Sequence, residues 1–252
     1  MGEIMSIIYI LWLRQLKRYS RSRARVLASL AQPLLFLFAM GFGFGPTYQK
    51  AGNGSYIQFL APGIMAMAIL FSAMFSGIEI LWDRQFGFLK ETLVAPVARI
   101  QIVLGRTLGG ATVAMIQGLI VFCFCLIAGF RIQHYDLLPV AVVFMFLIAM
   151  LFTAVGTTVG SLVEDMQAFP LVMNFLVMPM FFFSGALFPV ANLPRVLKGV
   201  LRLNPLTYGV DGLRGALSHG FVFGLGADLV CLGMATAMLL GVGNYFFSRI
   251  EV

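Results

Sequence analysis

Six stretches of the chain carry no Asp, Glu, Lys or Arg: 26–49, 51–78, 107–130, 137–163, 166–194 and 229–248. Each is long enough for the roughly 20 apolar residues with which an α-helix crosses a hydrocarbon layer about 30 Å thick. The apolar character is continuous within each run, whereas a membrane barrel strand alternates polar and apolar over about ten residues. A helix also satisfies its backbone hydrogen bonds within itself, as lipid requires. The pattern predicts an all-α polytopic membrane protein with six transmembrane helices, at 26–46, 58–81, 104–128, 137–162, 167–189 and 224–247. No fixed-period repeat or low-complexity linker divides it, so residues 1–252 are read as one transmembrane domain.

Three segments between or before the spans are amphipathic. In 1–25, Ile4, Ile7, Ile8, Leu11, Trp12 and Leu16 recur at helical spacing, with Arg14, Lys17, Arg18 and Arg21 on the far side. This predicts a helix lying in the inner interface, with Trp12, Arg14, Lys17 and Arg18 anchoring it against anionic lipid. In 82–99, Phe86, Leu89, Leu93 and Val97 form a stripe, and Lys90 and Glu91 lie away from it. The helix expected over 84–96 ends at Pro96, which lacks a donor and biases the preceding residue out of αR. Over 193–217, Val196, Leu197, Val200 and Leu201 face away from Arg195, Lys198 and Arg202, and Asn204-Pro205 breaks the helix. A further short helix then places Asp211 and Arg214 three residues apart, close enough to pair.

Composition agrees with lipid as the solvent. Of 252 residues 60% are hydrophobic and 11% charged, against roughly a quarter charged in a soluble domain. The net charge of +7 is read as membrane orientation and not as nucleic-acid binding, because the cations flank the spans. With six spans and an inside N-terminus, eleven of the 17 basic residues fall on the inner side, so both termini are expected to be cytoplasmic. No apolar core precedes Val26, so no cleavable leader is expected.

Candidate chemistry is sparse. Cys123, Cys125 and Cys231 lie within spans as apolar filler, and His134 and His219 have no companion ligands, so no metal is assigned. Gly41-Phe42-Gly43-Phe44-Gly45 is expected to end the first span or to pack tightly. No glycine is followed by lysine, so the phosphate-cradling G-x-x-x-x-G-K-[ST] loop is missing and no cofactor is expected in this chain. Gln117, Asn174 and Asn244 serve either cargo or helix-to-helix hydrogen bonds. Glu79 is placed at the inner end of the second span, since a carboxylate in mid-membrane costs about 2.5–3.5 kcal/mol. No catalytic constellation gathers in one segment.

The segment Gln85-Phe86-Gly87-Phe88-Leu89-Lys90-Glu91-Thr92-Leu93-Val94-Ala95-Pro96-Val97 resembles the one that follows the second span in membrane subunits of type-2 ATP-binding-cassette exporters. The family shows an aromatic, a glycine, then a glutamate two residues before Leu and five before Pro; here these are Glu91, Leu93 and Pro96. Asn204-Pro205-Leu206-Thr207-Tyr208 is similar to the family's segment before the last span, and Phe183-Ser184-Gly185 with Leu187-Phe188-Pro189 to its outer re-entrant turn. The resemblance implies that 84–96 is a coupling helix seated in a nucleotide-binding subunit through Phe86, Leu89, Lys90, Glu91, Leu93 and Pro96. It also implies short re-entrant outer helices, with Phe182, Phe183, Phe188, Asn204, Pro205 and Tyr208 as outer-gate candidates. An aromatic belt at the interface is the other reading of those rings.

The family's architecture implies a permease without ATPase motifs of its own, with ATP and Mg bound by two copies of a partner ATPase subunit. Two docking points imply a second copy of this chain or a similar permease. The expected activity is export of a hydrophobic or amphipathic molecule, whether drug, lipid or lipid-linked saccharide, across a bacterial or archaeal cytoplasmic membrane. A secondary transporter or channel without an ATPase is the alternative; it usually carries matched broken spans or intramembrane charges.

Overall fold

The computed structural model describes residues 2–50, 55–88, 98–189, 194–218 and 221–248, and every regular element among them is helical. In chain order these are α1 (Gly2–Arg21), α2 (Arg23–Lys50), α3 (Tyr56–Phe75), α4 (Ile78–Gln85), α5 (Arg99–Ile127), α6 (Leu138–Leu162), α7 (Ala168–Phe182), α8 (Arg195–Leu203), α9 (Pro205–Leu217) and α10 (Leu225–Ser248). Among the described residues, five stretches are long and apolar enough to cross a membrane: Val26–Lys50, Tyr56–Gln85, Arg99–Ile127, Leu138–Leu162 and Leu225–Phe247.

The apolar α7 is shorter. At 1.5 Å per residue its length is about 22 Å, less than the hydrocarbon thickness, so the helix does not fill the range 167–189 read from composition. Pro179 sits in its last turn, and beyond Phe182 the chain reverses through Gly185, whose φ of 73° lies in the left-handed region. The irregular segment that follows is buried at Ala186 and Leu187, and the Tyr56 hydroxyl donates to the Leu187 carbonyl at 3.2 Å. Non-helical backbone at membrane depth is tolerated where protein covers it in this way.

The glycines at 41–45 do not end the first span. α2 continues through them to Lys50, with Pro46 inside its last turn. Gly43 and Gly45 have no neighbouring atoms where a side chain would project. In lipid no water rewards opening the backbone, so residues that break helices in solution are carried through.

α3 is the central element, buried along nearly its whole length and packed against α2, α5, α6 and α9. α10 leans on α6, and α1 lies along α5. By contrast Leu27, Leu35, Phe42 and Phe44 on α2, Leu171 and Phe175 on α7, and Met234 and Met238 on α10 are exposed. These surfaces would be intolerable in water and suit lipid or another membrane subunit.

Where α3 passes into α4 the backbone meets that of α6 directly. A Cβ on Gly77 would stand 2.0 Å from the Gly156 carbonyl oxygen, one on Gly156 would stand 2.4 Å from the Met74 oxygen, and one on Gly160 would stand 2.4 Å from the Gly77 oxygen. Small residues permit this approach, which supplies the dispersion contact that holds helices together without a hydrophobic driving force. Gly156→Ala is therefore expected to lower thermal stability in detergent by about 1–3 kcal/mol through overpacking, with Gly43→Ala neutral. Equal melting temperatures for the two variants would contradict the contact.

Candidate functional site

Glu79 and Asp83 lie one turn apart on α4 and so face the same way. Asp83 is almost fully buried. One of its oxygens accepts from the Arg14 guanidinium of α1 at 2.6 Å, and the other from Arg106 of α5 at 2.7 Å. Arg18 lies 3.5 Å from Glu79 and 3.8 Å from Asp83. Two of the cations also lie over rings: Arg14 stands 4.0 Å from the Phe88 ring centroid and Arg18 5.5 Å from that of Trp82. Cations over aromatic faces gain further electrostatic attraction.

Three of the four residues read as lipid anchors thus turn inward. Trp12 donates its indole N–H to Thr112 of α5 at 3.0 Å, Arg14 and Arg18 serve the carboxylates, and Lys17 is exposed. The basic stripe of α1 is in part the counter-charge of α4. Asp83 and Arg106 were not singled out from the sequence; the available signal was a carboxylate and an arginine at the edges of apolar runs, where a partner is expected.

Beside this cluster, and sharing Glu79 with it, a cavity of about 430 Å³ opens between α1, α2, α3, α4, α5 and α7, within the range of about 300–1,000 Å³ usual for small-molecule sites. Its aromatic walls are Tyr19, Phe71, Phe75 and Trp82; its polar walls include Gln15, Gln32, Ser72, Ser76, Gln117 and Asn174. The Gln117 side-chain amide donates to the Tyr19 hydroxyl at 2.7 Å and to the Ser29 hydroxyl, and its carbonyl oxygen has no partner. Burial pushes the Tyr19 phenol above its ordinary pKa, with the Gln117 hydrogen bond acting the other way. Two of the interior amides noted in the sequence, Gln117 and Asn174, therefore face one space.

Leading away from α4, the chain turns at Phe86 and Gly87. Phe86 is 78% exposed, and Gly87 has a φ of 77°, so no continuous helix runs from 84. The expected docking residues Leu89, Lys90, Glu91, Leu93 and Pro96 lie outside the described residues.

At the opposite end, Asn204 caps α9 by accepting from the Leu206 N–H at 3.0 Å, and Pro205 occupies the first helical position. The Asn204 amide also donates to the carbonyls of Met180 at 2.6 Å and Phe183 at 2.8 Å, so one side chain fastens α9 to the end of α7. Tyr208 donates to the Arg202 carbonyl at 2.8 Å and packs on Phe223. Phe182, Phe183 and Phe188 are exposed, turned away from this subunit's interior. Asp211 and Arg214 find other partners: Asp211 accepts from the N–H groups of Val222 and Phe223, and Arg214 donates to the carbonyls of Phe59 and Gly185 while stacking on Phe59.

These features fall within a recognisable sequence frame. Residues 7–218 match the family described as ABC-2 type transporter. The transport permease ycf38 of Porphyra purpurea is similar at 33% identity over 223 residues, covering 84% of this chain and 74% of its own length. Nodulation protein J of Rhizobium leguminosarum bv. trifolii is 32% identical over 193 residues, covering 76% of this chain and 73% of its own length. Nodulation protein J of Sinorhizobium fredii is 27% identical over 237 residues, with 92% and 90% covered. The match takes in the charged cluster, the cavity and the Asn204 fastening together, and this multi-pass membrane protein belongs to the ABC-2 type transporter permeases.

Proposed function

We propose that this chain is the membrane-spanning subunit of an ATP-driven exporter of a hydrophobic or amphipathic molecule, powered by a separate nucleotide-binding subunit that holds ATP and Mg. The observation that carries the reading is the burial of Asp83 between Arg14 and Arg106. It makes α1, α4 and α5 one unit directly before the segment that resembles a coupling helix. A push on that segment reaches three helices at once and not a single flexible loop.

In this reading Phe86, Leu89, Lys90, Glu91, Leu93 and Pro96 dock on the ATPase subunit, and the charged end faces the cytoplasm with both termini. Closure of two ATPase subunits moves two docking segments, which requires two permease subunits, either two copies of this chain or this chain with a similar one. The permeases tilt as rigid bodies and change which side is open. The coupling free energy is the difference in nucleotide affinity between the two states. The cavity beside Trp82 receives the cargo from the cytoplasmic side: its rings cover apolar surface, and its amides and hydroxyls orient a polar head. The membrane is the cytoplasmic membrane of a bacterium or archaeon.

Docking is tested first. Lys90→Glu and Glu91→Ala are each expected to weaken binding of the ATPase subunit about tenfold, about 1.4 kcal/mol, and to abolish transport-stimulated ATP hydrolysis; unchanged pull-down and hydrolysis would remove the docking assignment. Transmission is tested at the cluster. Asp83→Ala leaves Arg106 buried without its counter-charge and is expected to cost about 3–5 kcal/mol in thermal unfolding. The double variant Asp83→Asn with Arg106→Gln is expected to regain most of that stability without regaining coupling. If hydrolysis and transport recover with stability, the cluster is a structural fixture only. Cargo binding is tested by Gln117→Leu and Asn174→Leu, which are expected to raise the cargo concentration needed for half-maximal stimulation while leaving basal hydrolysis unchanged; an unchanged half-maximal concentration would place the cargo elsewhere.

A further inference from the structure

The charged cluster beside Trp82 sets two carboxylates against three arginines, but at the other end of the bundle one carboxyl group has no counter-charge of its own among the described residues. Asp228, in the first turn of α10, is wholly buried. Neither of its oxygens receives a hydrogen bond from a donor among the described residues. Against it lies the carboxyl group of Asp211 on α9. Asp211 is itself buried and is held by the N–H groups of Val222 and Phe223, each at 2.9 Å.

Two carboxylates in contact away from water do not both ionise, because each disfavours the charge on the other and burial disfavours both. The partial positive charge at the start of a helix offsets only a small part of burying an anion. The neighbouring groups decide which carboxyl gives the hydrogen bond. The oxygens of Asp211 already accept from two backbone N–H groups, so Asp211 is the acceptor of the pair and Asp228 the donor. Tyr208 on α9 gives its hydrogen to the Arg202 carbonyl, and Cys231, one turn along α10, and Arg202 on α8 are the other titratable groups facing it. α6, which packs along α10, carries no titratable side chain, and His219 lies outside the described residues. With Asp211, Arg214 and Asp228 all ionised the buried group would carry a net charge of −1; one hydrogen ion makes it neutral.

We propose that Asp228 is a proton-binding site, a carboxylic acid that donates its hydrogen to Asp211 and so fastens the start of α10 to α9. Release of the proton to water leaves two adjacent carboxylates, whose repulsion drives α9 and α10 apart. That movement would widen the adjoining cavity of about 310 Å³, which is lined by Phe59, Asp211, Arg214, Lys198 and Arg202 among others. The ligand is a hydrogen ion, and no other reactant is involved. Placing the site on the outer side rests on the topology proposed above; the shared proton does not.

The test is infrared spectroscopy of the purified full-length protein in detergent, titrated from neutral to alkaline pH, with thermal unfolding followed in parallel. Wild type is expected to show the carbonyl stretch of a protonated carboxylic acid at neutral pH and to lose it as pH rises. Because the folded protein binds this proton and the unfolded chain does not, stability should fall as pH rises through the same range. Asp228→Asn should lack the band and the pH dependence, and His219→Gln should keep both. Should Asp228→Asn fail to fold, Asp228→Glu is expected to retain the band at a shifted frequency. Absence of the band from wild type at neutral pH would overturn the proposal, as would its persistence unchanged in Asp228→Asn. Displacement of the band by added sodium or calcium, with a gain in stability, would assign the site to a metal cation and overturn it too. None of these readouts involves the ATPase partner, so failure here and failure of the exporter reading are distinguishable.

Discussion

The structure depends on a single carboxylate that two helices must share. Asp83 sits on α4 with Arg14 of α1 on one oxygen and Arg106 of α5 on the other, all but sealed from solvent. Removing a charge from water costs several kcal/mol, and mutual attraction repays that cost only with close geometry on both sides. The contact is therefore poor as a source of net stability and strong as a constraint, because losing Asp83 strands the buried charge of Arg106. The amphipathic α1, which would otherwise float in the headgroup layer, is held against α5 and α4 in one register.

That constraint gains its value from the stiffness of what lies behind it. α3 and α4 meet α6 through backbone at Gly77, Gly156 and Gly160, with no side chain to absorb a displacement. Interiors packed in this way shift between discrete arrangements and do not deform gradually. The contacts at Asp83 run on through α4 to α6 and from there to α10, which leans on it. At the far end Asn204 ties α9 to the end of α7 by two short hydrogen bonds. Polar contacts fix the two ends of the bundle, and close apolar packing makes the middle rigid.

Much of this was legible in the sequence, and the boundary of legibility has a physical cause. Lipid imposes long apolar runs, so the all-helical membrane fold could be read from runs such as 107–130 and 137–163 alone. The helical period of 4–21 revealed α1 and its basic face. A period, however, reports only that a face is polar, not whether a lipid phosphate or Asp83 will meet it. Composition likewise counts apolar residues without locating helix ends. It carried the fifth run to 189, where α7 stops at Phe182, and it left a helix end and tight packing both open for Gly41–Gly45, where α2 continues and only Gly41 of the three glycines comes close to a neighbour, Ile57. The break at Asn204-Pro205 could be seen, but the carbonyls of Met180 and Phe183 that Asn204 reaches are more than twenty residues away. Such pairings exist only once the chain is folded.

The uneven burial of the spans carries the argument one step further. α3 has almost no free surface, whereas α2, α7 and α10 expose Phe, Leu and Met along much of theirs. Lipid tails would satisfy those side chains as well as protein does, so exposure alone does not call for a partner. The polar wall of the cavity is different: Gln32 on α2 and Asn174 on α7 lie within reach of those exposed flanks. An amide opening toward hydrocarbon loses hydrogen bonds that nothing in lipid replaces. A second subunit closing over α2 and α7 would supply a wall there and turn two half-open cavities into one enclosed path. The same closure would leave the free face of α10 to the bilayer, which its Val230, Met234 and Met238 suit.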